Sequence, residues 1–152
     1  MQAYRLTRDI PVEEDFDVLV AGGGPAGSAA AVCAARLGAK RVLAIDTDPV
    51  AVDVAAKNAV ENGVADVFRA ETTPLSAIPG AFDLVLGNLI AEILMDMAPD
   101  LLRRTTPGGH LILSGILAEK SGWVVEELVK NGADLLAETA DGQWTALLFR
   151  RG

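Results

Sequence analysis

Three glycines after an apolar segment are the residues of this sequence with the clearest chemical use. Gly22, Gly24 and Gly27 have the spacing G-x-G-x-x-G, directly after the apolar residues 16–21. In a strand-turn-helix unit the first glycine permits a tight turn, the second lets a pyrophosphate approach the backbone, and the third allows close packing of helix on strand. The spacing therefore predicts a phosphate-binding turn. Its candidate residues are Gly22, Gly23, Gly24, Pro25, Ala26 and Gly27.

The helix that should follow this turn begins with Pro25, which suits a first helical turn. Unpaired amides in that turn and the positive end of the helix dipole favour an anion. We expect the helix to bury Ala30, Cys33 and Leu37, because they recur at helical spacing. A tight turn with no ligand remains the alternative.

Asp46 and Thr47 follow the second apolar strand, residues 41–45. In dinucleotide-binding folds a carboxylate about twenty residues after the glycines binds ribose hydroxyls. Asp46 could instead cap the helix that starts near Pro49, but Asp48 is better placed to do so. We therefore favour a cofactor-binding role for Asp46, with Thr47 beside it.

Strands and helices alternate along the rest of the chain, which predicts a parallel sheet with helices on both faces. The first strand is apolar enough that we expect it at the centre of the sheet, since an edge would leave hydrophobic surface exposed. Pro99 should kink or divide the helix after the fourth strand. The fifth strand should begin at His110, and Asp141-Gly142 should form the two-residue turn of a closing hairpin.

Bulk properties limit the partners and the location. The 152 residues carry a formal charge of -8 and show no basic patch, which argues against nucleic acid as a partner and leaves a small-molecule nucleotide. No apolar stretch is long enough for a membrane span, and the single Cys33 fits a cytoplasmic, recombinant protein. His110 has no cluster of ligands near it, so no metal site is expected. We expect a monomer, with Trp123 and Trp144 in packing roles.

The glycine turn and its surroundings resemble the start of FAD-dependent oxidoreductases. The similarity rests on GGGPAG, on an Ala-rich helix that ends in ARLGAK, and on the lead-in DIPVEEDF. It covers roughly the first forty residues of the chain. It implies FAD, or an NAD or ADP moiety, as the cofactor.

A longer part of the chain resembles the catalytic domain of bacterial methyltransferases that modify a large-subunit ribosomal protein and use S-adenosylmethionine. The matching segments are IDTDPVAVDVAAKNAVENGV from Ile45 and FDLVLGNLIAEILMDMAPDLLRRTTPGGHLILSGILAEK from Phe82. The meeting of two families in one small chain suggests an engineered chimera with one Rossmann-like domain over residues 1–152. Its parts would be an arm of residues 1–15, an FAD-type unit of residues 16–40 and a methyltransferase-type core of residues 41–152.

The second resemblance implies a fold and a catalytic candidate. The fold is a three-layer α/β Rossmann-like sandwich with a mixed, mostly parallel seven-stranded sheet in the order 3-2-1-4-5-7-6, strand 7 being antiparallel. Its ligand crevice lies at the carboxyl ends of strands one and four, where Gly87 and Asn88 are expected. Asn88 matches an Asn of the family whose amide could orient a substrate amine for methyl transfer. A cap of the following helix is the alternative role of Asn88.

Two departures from the methyltransferase pattern shape the predicted function. Val20 stands where these enzymes usually have an acid that holds the amino acid end of the methyl donor, and the turn of residues 22–27 is longer than theirs. We therefore predict a chimeric protein that binds FAD, NAD or ADP weakly and catalyses no reaction efficiently. One alternative is a methyltransferase domain that binds S-adenosylmethionine or S-adenosylhomocysteine. A second alternative is a minimal flavin or nicotinamide oxidoreductase.

Overall fold

The computed structural model describes residues 17–22 and 24–152. The predicted arm of residues 1–15 and the candidate residue Gly23 lie outside this part of the chain. Within it, seven strands form one sheet with α-helices on both faces. None of the helices described is long and apolar enough to cross a bilayer.

The elements alternate along the chain as the sequence predicts. The strands are β1 (Val18–Ala21), β2 (Val42–Ile45), β3 (Phe68–Glu71), β4 (Phe82–Asn88), β5 (Thr105–Leu117), β6 (Ala133–Asp141) and β7 (Trp144–Arg151). The helices are α1 (Pro25–Arg36), α2 (Pro49–Glu61), α3 (Ala91–Arg103) and α4 (Ser121–Lys130), with short 3₁₀ turns at Leu75–Ala77 and Ala118–Lys120.

The sheet has the predicted order 3-2-1-4-5-7-6. Strands β1 to β5 pair in parallel, whereas β7 is antiparallel to both β5 and β6. Strand β1 lies between β2 and β4, and its residues Val18 and Leu19 are buried. The predicted central position of the first strand is therefore confirmed.

Each face of the sheet has its own hydrophobic core, because successive strand residues point to opposite faces. Leu19 and Val85 belong to the larger core, which α3 and α4 cover through residues such as Leu94 and Leu128. Val20 belongs to the smaller core under α1 and α2. The two cores hold the carboxyl ends of β1, β2 and β4 in fixed positions.

The predicted buried face of α1 is wrong. Ala30 is only half-buried, Cys33 is exposed, and Leu37 is 89% exposed just beyond the end of the helix. The residues that the helix buries are Gly27, Ser28, Ala31, Val32 and Ala35. Almost every position of this helix is small and apolar, so hydrophobic spacing does not distinguish its faces. The close approach of the helix to the sheet at Gly27 selects the face instead.

Pro99 lies inside the uninterrupted helix α3, so of the two predicted effects, a kink or a division, the division is excluded. Two boundaries differ from the sequence predictions. Strand β5 begins at Thr105, because the segment ahead of His110 bulges out of the pairing with β4 instead of forming a separate turn. In the hairpin, Asp141 pairs with Trp144, so the two-residue turn is Gly142-Gln143. Gly142 has a φ of 58° at the first central position, where a type II′ turn needs a positive φ.

Candidate functional site

Gly22, the first residue after β1, has the backbone conformation that the glycine spacing predicts. Gly22 has a φ of 103°, a conformation that side chains with a Cβ rarely adopt. Its N–H donates to the carbonyl of Ile45 at the end of β2, at 2.9 Å. The turn is therefore tied to the carboxyl end of the neighbouring strand.

Gly27 and Gly24 differ sharply in their surroundings. A Cβ at Gly27 would lie 1.7 Å from the carbonyl oxygen of Gly22. The helix therefore approaches the turn so closely that only glycine fits at position 27. Gly24 is exposed, with nothing within 4 Å of an added Cβ. It precedes Pro25 as the N-cap of α1 and makes no side-chain capping bond; Ala26 is exposed in the first turn. The turn thus leaves the start of α1 open to a ligand.

Asp48, and not Asp46, caps α2, as expected. The Oδ1 atom of Asp48 accepts a hydrogen bond from the Val50 N–H at 2.9 Å, which makes Asp48 the N-cap of α2. Asp46 is half-buried at the end of β2, and its Oδ1 accepts from the Asp48 N–H at 2.8 Å. Thr47, between them, is exposed. Asp46 is therefore not the cap of α2.

A cavity of about 260 Å³ lies at the carboxyl ends of β1 and β2. Gly22, Asp46 and Thr47 line one side, and Leu75, Leu89 and Met97 are among the apolar residues of the wall. Apolar surfaces suit an aromatic ring, and a carboxylate can accept hydrogen bonds from hydroxyl groups. The arrangement suits a nucleoside. The contributions of Leu75 and Met97 were missed from the sequence, because both come from segments without a recognisable motif.

Asn88 is held by the neighbouring strand. Its Nδ2 donates to the Ser114 Oγ at 2.7 Å. The N-cap of α3 is Ile90 and no side chain caps that helix, so the alternative role of Asn88 as a helix cap is wrong. Gly87, the residue before it, is buried, and a Cβ there would lie 2.9 Å from the Leu113 side chain.

A second cavity, of about 460 Å³, lies on the β5–β7 side of Asn88. Besides Asn88, its wall includes Ser114, Asp141, Trp144 and Thr145. Trp144 is 48% exposed, so the expected packing role does not describe it. The sequence gives no sign of this proximity, because the return of β7 alongside β5 is what brings Trp144 to the site.

An ion pair between Lys120 and Glu92 links the 3₁₀ turn before α4 to the first turn of α3. The hydrogen bond from Lys120 holds the pKa of the Glu92 carboxyl below its ordinary value. In the described part of the chain no group of three or more His, Cys, Asp or Glu side chains could hold a metal ion.

Comparisons with known proteins identify relatives of this chain. Residues 5–152 match the family model described as ribosomal protein L11 methyltransferase (PrmA). The chain is 48% identical over 120 residues to the ribosomal protein L11 methyltransferase of Geobacter sulfurreducens, and this alignment covers 79% of this chain and 40% of that protein. It is 41% identical over 146 residues to the ribosomal protein L11 methyltransferase of Trichlorobacter lovleyi, and this alignment covers 93% of this chain and 46% of the relative. The chain thus spans less than half the length of these relatives.

A solved structure agrees with these matches. The ribosomal protein L11 methylase from Lactobacillus delbrueckii subsp. bulgaricus superposes with a TM-score of 0.82 at 30% sequence identity. The match covers 99% of this chain and 78% of that one.

The matches overturn the interpretation as an engineered chimera. The family model includes all but four of the first forty residues, so no separate FAD-type unit is needed to explain them. The predicted function, an inactive chimeric scaffold for FAD, NAD or ADP, is wrong for the same reason. A strand, a glycine turn and a helix open many nucleotide-binding sheets, because each needs a tight turn and a free helix amino terminus. The glycine spacing therefore does not distinguish one cofactor from another.

Proposed function

The chain belongs to the ribosomal protein L11 methyltransferase family, and we propose that it forms a methyltransferase domain that binds S-adenosylmethionine at the carboxyl ends of β1, β2 and β4. The observation that carries the proposal is the position of two adjacent residues, Asn88 and Leu89, between two cavities. Leu89 lines the cavity of about 260 Å³ and Asn88 lines the cavity of about 460 Å³. A donor in the first cavity and an acceptor in the second would meet at this wall.

The first cavity fits the adenosine part of the donor. Asp46 would accept hydrogen bonds from the ribose hydroxyls, because it lines this cavity at the end of β2 and a carboxylate has several acceptor sites. Leu75 and Met97 provide apolar contacts for the adenine ring. Asp46 and the apolar wall thus fit an adenosine, whichever group is attached to it.

The methionine part of the donor needs a different partner from the acid that Val20 replaces. Val20 is 1% exposed, and its Cγ1 lies 3.6 Å from the position of a Cβ on Gly27, so it is packed under α1. The open start of α1 favours a carboxylate, because the N–H groups of Ala26 and Gly27 precede the first hydrogen bond of the helix, from Ser28 to Gly24, and the positive end of the helix dipole is there. We infer that this helix terminus binds the carboxylate of the donor.

S-adenosylmethionine would supply a methyl group on a positively charged sulfur. A neutral amine would attack the methyl carbon, the carbon–sulfur bond would break to release S-adenosylhomocysteine, and the methylated amine would lose a proton to water. Such a transfer requires proximity and alignment more than acid or base catalysis. The Asn88 amide lies at the wall between the cavities, where its oxygen can accept a hydrogen bond from an acceptor amine. Because the relatives are named for ribosomal protein L11, we propose an amine of that protein as the acceptor.

Calorimetric titration tests the choice of cofactor. The chain should bind S-adenosylhomocysteine more tightly than FAD, NAD or ADP in the same buffer. Asp46→Ala should weaken that binding by about 10- to 100-fold, as expected for hydrogen bonds to a charged group. Asp66→Ala is the matched control, because Asp66 is exposed and precedes the amino end of β3, whereas the cavity lies at the carboxyl ends of the parallel strands. Tighter binding of FAD or NAD than of S-adenosylhomocysteine would contradict the proposal.

A methyl-transfer assay tests the acceptor and Asn88. With labelled S-adenosylmethionine and purified ribosomal protein L11, the chain should transfer methyl groups, and Asn88→Ala should lower kcat while leaving the affinity for S-adenosylhomocysteine unchanged. Asn131→Ala is the control variant, because the Asn131 side chain bonds to Glu127 on α4, away from both cavities. Full activity of Asn88→Ala would exclude a role for Asn88.

A further inference from the structure

Strand β5 has an irregularity beside the site. Leu113 pairs with Leu147 of β7, and the next pair is Ile116 with Thr145, so β5 contains one residue more than β7 between these pairs. The residues between the pairs on β5 are Ser114 and Gly115, and Gly115 has a φ of 79°. This is a bulge with a glycine in the left-handed region. Such bulges change the direction of a side chain and are common beside active sites.

The bulge is bound to the end of β4 by two hydrogen bonds. The Leu89 N–H donates to the Ser114 carbonyl at 3.1 Å, and the Asn88 Nδ2 donates to the Ser114 Oγ at 2.7 Å. A Cβ at Gly115 would lie 3.2 Å from the Leu89 carbonyl oxygen and 3.5 Å from the Asn88 Nδ2. Gly115 therefore keeps the space in which the Asn88 side chain lies against the bulge.

The hydrogen bond from Nδ2 fixes the orientation of the Asn88 amide. The terminal torsion of an Asn side chain has a broad preference, so the amide needs a partner to hold it in one orientation. Because the amide is planar and its nitrogen faces Ser114, its Oδ1 faces away from Ser114 and remains an acceptor. An acceptor group that donates a hydrogen, as a neutral amine does, can then bind to Oδ1.

We propose that Ser114 is a positioning residue: it holds the Asn88 amide so that Oδ1 orients the N–H of the acceptor for methyl transfer. This inference rests on the proposed function. It adds that the Ser114-Gly115 bulge, and not Asn88 alone, orients an acceptor that donates a hydrogen bond. Asn88 would contact the acceptor, and Ser114 would act through Asn88.

The orientation of the amide can be measured without turnover. In the isotope-labelled chain, nuclear Overhauser contacts should join the Asn88 Nδ2 protons to the two Cβ protons of Ser114 in the unmodified protein and to the single Cβ proton of residue 114 in Ser114→Thr. These contacts should be lost in Ser114→Ala, because nothing then holds the amide. Contacts that persist unchanged in Ser114→Ala would overturn the inference.

Kinetics with S-adenosylmethionine and ribosomal protein L11 test its effect on transfer. Ser114→Ala should lower kcat by about 10- to 100-fold, because transfer depends on alignment. It should leave the dissociation constant of S-adenosylhomocysteine within about twofold of the unmodified value, and Ser114→Thr should restore most of the activity. Ser121→Ala is the control, because the Ser121 hydroxyl bonds locally to the Ala118 carbonyl.

Two negative results can be distinguished. If the unmodified chain neither binds S-adenosylhomocysteine nor transfers a methyl group, the proposed function fails and this inference with it. If the unmodified chain is active and Ser114→Ala has the same kcat, only the inference about Ser114 is overturned.

Discussion

Replacing Gly27 by Ala should destabilise the whole domain, because the turn and α1 leave no room for a Cβ. The added carbon would lie 1.7 Å from the Gly22 carbonyl oxygen, whereas real Cβ contacts do not fall below 3.0 Å. The obstacle is backbone rather than a flexible side chain, so the helix or the turn must retreat by roughly 1.3 Å. The turn is also bonded to Ile45 through Gly22, which resists that movement.

The expected cost follows from two opposing effects. Overpacking in a well-packed region costs about 1 to 3 kcal/mol, occasionally more, and a clash this severe belongs at or above the upper end. Ala is better than Gly inside a helix by up to about 1 kcal/mol, which does not offset the clash. Gly27→Ala should therefore lower the free energy of unfolding by about 2 kcal/mol or more.

Urea unfolding followed by far-ultraviolet circular dichroism measures this free energy, and thermal unfolding followed by the same signal measures Tm. At about 2 to 4 °C per kcal/mol for a chain of this size, Tm should fall by roughly 4 to 8 °C or more. Gly122→Ala is the matched control: it is another helical glycine, the second residue of α4, and nothing lies within 4 Å of its added Cβ. That variant should be as stable as the unmodified chain or slightly more stable. A Gly27→Ala variant within about 0.5 kcal/mol of the unmodified chain would refute the close approach of α1 to the turn.

Three further predictions concern stability. Leu37→Ala should change the free energy of unfolding by less than about 0.5 kcal/mol, since Leu37 is 89% exposed, whereas Leu94→Ala, at a fully buried position, should cost about 2 to 5 kcal/mol in the same urea assay. Asp48→Ala should cost about 1 kcal/mol through the lost N-cap of α2, and an unchanged Tm would contradict that capping role. Lys120 lowers the pKa of Glu92 below its ordinary 4.5, so the ion pair stabilises the folded chain above pH 4.5, and this stabilisation is lost as the pH falls through the lowered pKa. Glu92→Gln should therefore lose less stability than the unmodified chain below pH 4.5. Identical pH profiles of the two proteins would count against the pair.

Most elements of the fold follow from local patterns in the order of the residues. The apolar run of residues 16–21, the positive-φ turn at Gly22 and the alternation of strands and helices depend on local backbone preferences and burial, which are readable from the order of the residues. The cap at Asp48 was predictable for the same reason, since a capping residue and its helix are neighbours in the chain. Resemblance to a known family then correctly gave the order of the strands.

Contacts between residues distant in the chain depend on how the elements pack and could not be predicted from local patterns. The predicted buried face of α1 was wrong because almost all residues of this helix are small and apolar. The close contact at Gly27 determines which face is buried. Ser114 and Trp144 carry no local signal of function; the bulge in β5 and the antiparallel return of β7 bring them beside Asn88. The glycine spacing was misleading about the cofactor, because it reports the turn and the helix start and not the group that binds there. Turns and helix caps depend on residues that are neighbours in the chain, whereas the composition of a site depends on which strands the fold places side by side.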